Sequence, residues 1–160
     1  MKKDSTYSSE RLTYRGLEKS DAQVVVSWRS NPENYRFFLN AHQITLEEHL
    51  SWYERYLDDP TRYDFVIFDS EDKPIGTVGL SHITKDSGEI NYMIGEVSAR
   101  GKGYAKEAVR TFTSIAVGEL GVKTVYASVL VNNPASMHVV EGCGFKDYEH
   151  VYVARYDSEN

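Results

Sequence analysis

Apolar and polar residues alternate along several short segments of this chain, a pattern that is typical of β-strands with one buried face. This alternation, together with short apolar runs, predicts strands over residues 11–17, 63–68, 75–80, 89–95, 122–131, 145–148 and 151–156. The segment at 122–131 is apolar at most positions, so we expect that strand to be buried. Helical spacing of apolar residues predicts helices that begin near residues 21, 45, 102 and 133.

Capping and breaking residues place the ends of these helices. Thr45 and Glu48 match the capping box that starts a helix, and Pro134 lies near the first position of the last helix. A short helical turn is expected around residues 35–38. The elements follow in the order β-α-α-β-β-β-α-β-α-β-β without an internal repeat, so we predict one domain over residues 11–157 after a flexible lead at residues 1–10.

The composition argues against several classes of protein. The chain of 160 residues has 24 acidic residues and 18 Lys or Arg, and the net charge of −6 disfavours nucleic-acid binding. The same charge would attract a cationic amine. No apolar run approaches the roughly 20 residues needed to cross a membrane, and residues 1–6 do not resemble a signal peptide. The single cysteine, Cys143, permits no internal disulfide, so we expect a cytoplasmic protein.

A glycine-rich turn joins the strand at 89–95 to the helix that follows. Its residues are Arg100-Gly101-Lys102-Gly103-Tyr104-Ala105. The first amides of a helix have no intrahelical partner and carry the positive end of the helix dipole, so such a turn can bind an anion like pyrophosphate. Its glycines let the ligand approach the backbone closely, and Arg100 and Lys102 add positive charge. The alternative is an ordinary strand-to-helix turn with two solvated cations.

The turn lacks the Gly-Lys-Ser/Thr ending of an ATP-binding loop and the three glycines of a dinucleotide-binding loop. It matches R/Q-x-x-G-x-G/A, and therefore resembles the coenzyme A pyrophosphate loop of the GNAT family of N-acetyltransferases. A second segment, Asn133-Pro134-Ala135-Ser136 followed by Glu141-Gly142-Cys143-Gly144-Phe145, resembles the family's N-x-x-S…E-x-x-G-F motif. In the family this Asn and Ser lie beside the pantetheine arm. Helix capping by Asn133 and a helix stop at Gly144 are the alternative interpretation.

The resemblance covers nearly the whole chain and implies both fold and reaction. The fold is the acyl-CoA N-acyltransferase fold of the α/β (α+β) class, a mixed, mostly antiparallel twisted sheet of six to seven strands flanked by about four helices. The reaction is acetyl transfer from acetyl-CoA, the co-substrate, to a primary amine. The residues implied to bind acetyl-CoA are Met93, Ile94, Arg100, Gly101, Lys102, Gly103, Tyr104, Ala105, Asn133 and Ser136.

The resemblance also implies two catalytic groups. In the family, a bulge in the strand before the loop frees an amide for the thioester oxygen. Here that amide lies within residues 93–95, and Ile94 is the best match. Glu89 stands sixteen residues before Ala105, where the histone acetyltransferase branch keeps its general base. A solvated glutamate at a strand edge is the alternative for Glu89.

The proton donor to the leaving thiolate departs from the family pattern. Many relatives have a tyrosine five residues before the Phe of G-F, and here that position is Val140, which cannot donate a proton. Ser136 is the catalytic candidate in its place. Solvent is another, and so are the side chains of His138, Tyr92, Tyr104 and Tyr126.

The N-terminal third builds the acceptor side in this family. Trp28-Arg29-Ser30-Asn31 and Glu47-Glu48-His49-Leu50-Ser51-Trp52 resemble stretches of the subgroup that acetylates an amino sugar carried on a nucleotide. That resemblance implies substrate contacts for Trp28, Phe37, His49 and Trp52. Both tryptophans could equally be core residues on amphipathic helices.

Other acceptors stay open. They are a polyamine and a protein N-terminal alanine or serine, as in the ribosomal-protein modifying relatives. A different class, an acyl-CoA-binding sensor without turnover, fits the absent tyrosine at Val140. The cysteine and the five histidines show no metal-ligand spacing, so we predict no metal. We expect a small-molecule amine as partner, no nucleic acid and no membrane, and the sequence is compatible with a homodimer.

Overall fold

Six strands form one sheet in the computed structural model, which describes residues 1–35, 43–130 and 132–148. In sheet order they are β1 (Thr6–Ser8), β2 (Thr13–Gly16), β3 (Tyr63–Phe68), β4 (Pro74–Ser81), β5 (Ser87–Ile94) and β6 (Thr124–Tyr126). Strands β1 to β5 are antiparallel neighbours, and β6 pairs with β5 in parallel. The mixed, mostly antiparallel sheet expected from the sequence is therefore confirmed.

Five helices flank the sheet within the described ranges: α1 (Ala22–Ser30), α2 (Pro32–Tyr35), α3 (Leu46–Leu57), α4 (Tyr104–Leu120) and α5 (Pro134–Gly142). The predicted capping box starts α3, since Thr45 and Glu48 exchange side-chain-to-backbone hydrogen bonds of 3.1 and 3.0 Å. None of the described helices is long and apolar enough to cross a membrane.

The two faces of the sheet bury separate apolar clusters. Phe65 and Ile67 of β3 pack with Phe112 of α4, whereas the intervening Val66 packs with Trp28 of α1 and with α3. Successive side chains of a strand point to opposite faces, so α4 covers one face while α1 and α3 cover the other. Helices therefore pack on both faces of the sheet that contains β5.

The N-terminal residues form a strand where a flexible lead was expected. Tyr7 of β1 places its ring 5.6 Å from that of Phe65 and 6.0 Å from that of Phe112. Lys3 Nζ donates a 2.7 Å hydrogen bond to the carbonyl of Asp59. The ring of Tyr7 thus packs this otherwise polar segment against the sheet. One aromatic residue changes the mean hydropathy of a segment only slightly, so the sequence pattern did not indicate this contact.

The predicted buried strand at 122–131 is wrong in length and burial. β6 has three residues, and both of its end residues are exposed. Residues 145–148 are not in a strand, and the strand predicted at 151–156 lies outside the described residues. Of the helical turn expected around 35–38, only Tyr35 is described, as the last residue of α2, and residues 36–38 lie outside the described residues.

Candidate active site

Strands β5 and β6 diverge and leave a cleft at this edge of the sheet. The parallel pairing covers the first three residues of β5, and its last pair joins Glu89 to Tyr126. From there β5 continues to Ile94 with β4 on one side and, among the described strands, no partner on the other. The cleft has a volume of about 350 Å³, and its lining includes Arg29, Arg62, Asp64, Glu89, Asn91, Tyr92, Met93, Leu130, Asn133 and Ser136.

The backbone is irregular at the end of β5. The amides of Gly95 and Glu96 both donate to the carbonyl of Ile75, at 2.9 and 3.1 Å. Two residues that oppose one form a β-bulge, so the irregularity expected near Gly95 lies there. Backbone groups of successive strand residues point to alternate edges, and the amide of Ile94 therefore points to the edge of β5 that faces away from β4 and has no partner among the described strands.

The loop at residues 100–105 follows a short 3₁₀ turn, Val97–Ala99, and leads into α4. Gly101 and Gly103 have φ values of 74° and 80°, in the left-handed region that favours glycine. Gly103 is the N-cap of α4, and a Cβ on Gly101 would meet no atom within 4 Å. Tyr104 and Ala105 form the half-buried first turn. The unpartnered first amides of α4 thus lie behind an open backbone, which fits a diphosphate.

The two cations of the loop differ in their surroundings. Lys102 is exposed. Arg100, however, donates from Nη2 to Oδ1 of the buried Asn34. The amide of Asn34 in turn donates to the carbonyls of Trp28 and Gly95, at 2.9 and 3.2 Å. Arg100 therefore ties the loop to α2 and to the end of α1, a structural task that the loop motif alone does not indicate.

Arg11 is a loop-supporting residue that sequence reasoning missed. Its Nη1 donates to the carbonyl of Lys102 at 2.8 Å, and its guanidinium lies 4.6 Å from the centre of the Tyr104 ring. The Nε of Arg11 also pairs with Glu107 of α4 at 2.7 Å. Because these contacts join a residue just upstream of β2 to the start of α4, no local sequence signal could have found them.

Glu89 lies at the point where the two strands separate. It is 9% exposed, and Oε2 is 2.8 Å from Nδ1 of His82. Burial, and next the charge of Glu89, raise the pKa of Tyr126, the residue opposite Glu89 in β6. Glu89 is therefore a nearly buried carboxylate in the cleft, rather than the solvated strand-edge residue of the alternative interpretation.

Asn133 and Ser136 begin α5 on the opposite wall. Asn133 caps the helix, since Oδ1 accepts from the amide of Ser136 at 3.1 Å. The hydroxyl of Ser136 contacts the phenol oxygen of Tyr92 from β5. Burial raises the pKa of this phenol, an effect that the hydrogen bond between the two hydroxyl groups opposes. Two hydroxyl groups therefore meet between β5 and the start of α5.

The other proton-donor candidates are placed differently. Val140 is 8% exposed and carries no donor. His138 is exposed on α5. Tyr104 packs on Arg11, and Tyr126 lies beside Glu89.

Burial raises the pKa of the Cys143 thiol. Within the described ranges, no group of three or more His, Cys, Asp or Glu side chains could hold a metal ion.

The four residues expected to bind the acceptor have separate locations. Trp28 is 3% exposed in the core beneath β5, and Met93 packs against the same cluster. His49 is buried in α3 with its ring 5.5 Å from that of Trp52. Trp52 is half-buried and stacks on Tyr56 at 5.0 Å. Phe37 lies outside the described residues.

Two arginine side chains also line the cleft. Arg62 forms a two-pronged ion pair with Asp64, with N–O distances of 2.6 and 3.2 Å, and its guanidinium lies 5.1 Å from the Trp52 ring. Arg29 of α1 also lines the cleft, and burial, followed by the charge of Arg62, lowers its pKa. Together with Asp64 and Glu89, the cleft lining therefore holds two cations and two carboxylates.

Known proteins with similar sequences match across this architecture. The profile of a family described as "Acetyltransferase (GNAT) domain" matches residues 11–146. An uncharacterized protein of Methanocaldococcus jannaschii is 30% identical over 140 residues, and the match covers 85% of this chain but only 28% of that longer protein. The spermidine N(1)-acetyltransferase of Vibrio cholerae is 26% identical over 145 residues, which cover 89% of this chain and 83% of the enzyme.

A comparison with solved structures also finds an acetyltransferase that is similar over most of the chain. The crystal structure of spermidine N-acetyltransferase from Vibrio cholerae in complex with CoA and spermine superimposes with a TM-score of 0.82 at 26% identity, over 88% of this chain and 83% of that chain. The family profile covers residues 11–146 and therefore includes every element from β2 to α5. The chain therefore belongs to the GNAT acetyltransferase family and is an acetyl-CoA-dependent N-acetyltransferase.

Proposed function

We propose that the amine attacks the thioester of acetyl-CoA directly at the cleft edge of β5. The diphosphate binds at residues 100–105, and the amide of Ile94 donates to the oxyanion that develops on the thioester oxygen. One such donor contributes a factor of about 10² to 10³ to kcat. The observation that carries this proposal is the unpaired edge of β5, which runs from the end of the β6 pairing to the glycine loop.

Glu89 is the proposed general base. A primary amine must be neutral to attack, and a carboxylate within reach of the cleft can take its proton. General acid–base groups contribute about 10² to 10⁴ in rate. The nearly buried position of Glu89 beside Tyr126 supports this role, because that is where β5 loses its partner and the acceptor can enter.

Tyr92 and Ser136 are the proposed donors to the leaving thiolate. As the C–N bond forms and the C–S bond breaks, the amine proton passes to Glu89 and the sulfur takes a proton from the phenol. Solvent then returns a proton to Tyr92. The contact between the two hydroxyl groups supports this assignment, and so does Val140, which leaves the usual donor position without an acid.

The proposed acceptor carries an anionic group beside its amine, as an amino sugar linked to a nucleotide does. Arg29 and Arg62 line the cleft together with Glu89. An arginine pair can bind phosphate or carboxylate with directional hydrogen bonds. The half-buried Trp52 next to Arg62 offers an aromatic face to a sugar or base. In this arrangement the anion orients the acceptor and Glu89 receives the amine.

A polyamine is the second candidate. The net charge of −6 favours a cationic acceptor, and a similar enzyme from Vibrio cholerae bears the name spermidine N(1)-acetyltransferase. The two arginines in the cleft argue against it, because a polyamine would have to lie beside them. An acyl-CoA sensor without turnover is the third.

Thiol release from acetyl-CoA distinguishes these candidates. We expect release with a UDP-linked amino sugar, and less with spermidine or with a peptide that begins with alanine. The variant Glu89→Gln should bind coenzyme A in a calorimeter with unchanged affinity but release thiol at least 10²-fold more slowly. Coenzyme A binding with no release for any amine would support the sensor, and no binding at all would contradict the proposed site.

A further inference from the structure

His82 connects the proposed base to the solvent. Its Nδ1 lies 2.8 Å from Oε2 of Glu89, and the imidazole is 74% exposed while the glutamate side chain is 12% exposed. The ring thus has one nitrogen on the carboxylate and most of its surface in water. None of the motifs that identify the acetyl-CoA site includes this residue.

The backbone holds the ring in this position. His82 directly follows β4 and has a φ of 50°, a left-handed conformation that residues with a Cβ rarely adopt. Asn91 donates to Ser81 Oγ at 2.7 Å, and that hydroxyl lies 3.3 Å from Nδ1 of His82. Non-glycine residues persist in such conformations only when their surroundings hold them, often where function needs a fixed geometry.

A general base has to release its proton before the next turnover. With acceptor and thioester in the cleft, the nearly buried Glu89 has little direct access to bulk water. A neutral imidazole can accept a proton at one nitrogen and release a proton from the other. We infer that His82 relays the amine proton from Glu89 to solvent. This inference rests on the proposed function, in which Glu89 is the base.

The proton balance of the relay is simple. Glu89 takes one proton from the attacking amine and becomes a carboxylic acid. When the neutral ring carries its proton on Nε2, Nδ1 of His82 accepts the proton from Glu89, which restores the carboxylate, and the imidazolium then loses its Nε2 proton to water. The ring is left with its proton on Nδ1, where it donates to the carboxylate, and proton exchange of the exposed ring with water returns the Nε2–H tautomer before the next transfer. No oxidant, reductant or further co-reactant is needed.

Two substitutions separate proton relay from simple positioning. Asparagine tolerates the left-handed backbone and can place an amide N–H near Glu89, but it cannot carry a proton. Glycine also fits this φ and leaves a solvent-open space that free imidazole can enter. Lys85→Ala, at an exposed site on the same turn, is the control.

We expect His82→Asn to lower kcat roughly 10- to 100-fold and to leave the KM for acetyl-CoA unchanged. This loss is no larger than the smallest effect typical of an acid–base group, about 10²-fold. His82→Gly should be equally slow, and added imidazole should restore its kcat in a concentration-dependent manner. Imidazole should not accelerate the wild type, Lys85→Ala or the double variant with Glu89→Gln. Wild-type kcat in His82→Asn, or no rescue of His82→Gly, would overturn the relay.

Failure of the relay and failure of the proposed function give different results. Thiol release by the wild-type protein with the UDP-linked amino sugar or spermidine tests the function, and the variants test the relay on the same assay. Should the wild type release no thiol, the proposed function fails, and ¹⁵N spectra of the His82 ring then test the pair. The Glu89→Gln substitution should shift the Nδ1 resonance of His82, and an unchanged resonance would overturn the inference.

Discussion

The indole of Trp28 lies directly against Gly95, at the point where β5 ends and the path to the acetyl-CoA loop begins. A Cβ on Gly95 would come within 2.2 Å of Trp28 Cγ. The same indole donates from Nε1 to Glu96 at 2.9 Å. Helix α1 thus supports both residues of the bulge at the end of β5. Trp28 acts here through packing, whatever the acceptor is.

Replacement of Gly95 by alanine should therefore destabilise the protein. The extra methyl group must displace a buried ring, and overpacking of this kind costs about 1–3 kcal/mol. Gly118→Ala is the matched control, because Gly118 lies in α4 with no atom within 4 Å of an added Cβ. Alanine there should raise helix stability by about 0.5–1 kcal/mol. Urea unfolding of both variants measures the two changes, and equal stabilities would contradict the packing argument.

Replacement of Gly103 by leucine should raise the KM for acetyl-CoA about tenfold or more. The side chain would obstruct the approach of the diphosphate to the first amides of α4, and a loss of about 1.4 kcal/mol corresponds to that factor. Gly121→Leu controls for backbone strain, since its φ of 68° is similar, it lies at the other end of α4, and a Cβ there meets nothing within 4 Å. Similar KM values in steady-state assays of the two variants would argue against the loop as the anion site.

Local patterns predicted most of the sheet because β2 to β5 each present one or two apolar faces that their own residues encode. The length of β6 could not be predicted in that way. Its pairing ends at Tyr126 because β5 and β6 diverge, and divergence depends on how two distant strands pack. Val122, the first residue of the predicted strand, is buried before β6 begins, so its apolar character was a misleading signal.

The turn that leads into α4 could be predicted because its geometry is encoded by consecutive residues, among them two glycines with positive φ. Its supports could not. Arg100 and Asn34 are 66 residues apart, and Arg11 and Glu107 are 96 residues apart. Such contacts depend on the final packing rather than on any motif, and the pair formed by His82 and Glu89 has no recognisable spacing either.

His49 should make stability depend on pH below neutrality. Burial, and secondly the charge of Arg29, lower its pKa, so the folded protein favours the neutral ring while an unfolded chain takes up a proton near pH 6.5. The stability that results from this difference in the pKa of His49 is therefore present above about pH 6.5 and is lost as pH falls through the lower, folded-state pKa. Urea unfolding at pH 7 and pH 5 should show a smaller loss in His49→Gln than in the wild type. His138→Gln, at an exposed site, should retain the full loss.

Arg29→Met should discriminate between acceptor classes. Methionine keeps most of the buried side-chain volume but removes the charge, and hydrogen bonds to charged groups contribute about 1.5–3 kcal/mol. We expect the KM for a UDP-linked amino sugar to rise about tenfold or more, with that for spermidine unchanged or lower. Arg55→Met, at an exposed arginine of α3, should alter neither value. A rise for spermidine alone would reverse the order of the two candidates.

Tyr92→Phe should lower kcat without a matching change in the KM for acetyl-CoA, because the phenol donates only as the thiolate leaves. A loss of roughly 10²-fold is the lower range for an acid–base group. Burial raises the pKa of Tyr92 above its usual value of about 10, so the donor keeps its proton through neutral pH and the wild-type kcat should fall only above about pH 10. That alkaline fall should be absent in Tyr92→Phe.

Tyr148→Phe is the control for this phenol, since Tyr148 is 92% exposed. It should keep the kcat and the alkaline limb of the wild type. A Tyr92→Phe variant with wild-type kcat would leave the proton to Ser136 or to solvent. Adding Ser136→Ala to Tyr92→Phe then decides between them. If the Ser136 hydroxyl donates the proton, the double variant should have a lower kcat than Tyr92→Phe, whereas protonation by water would leave the two rates equal.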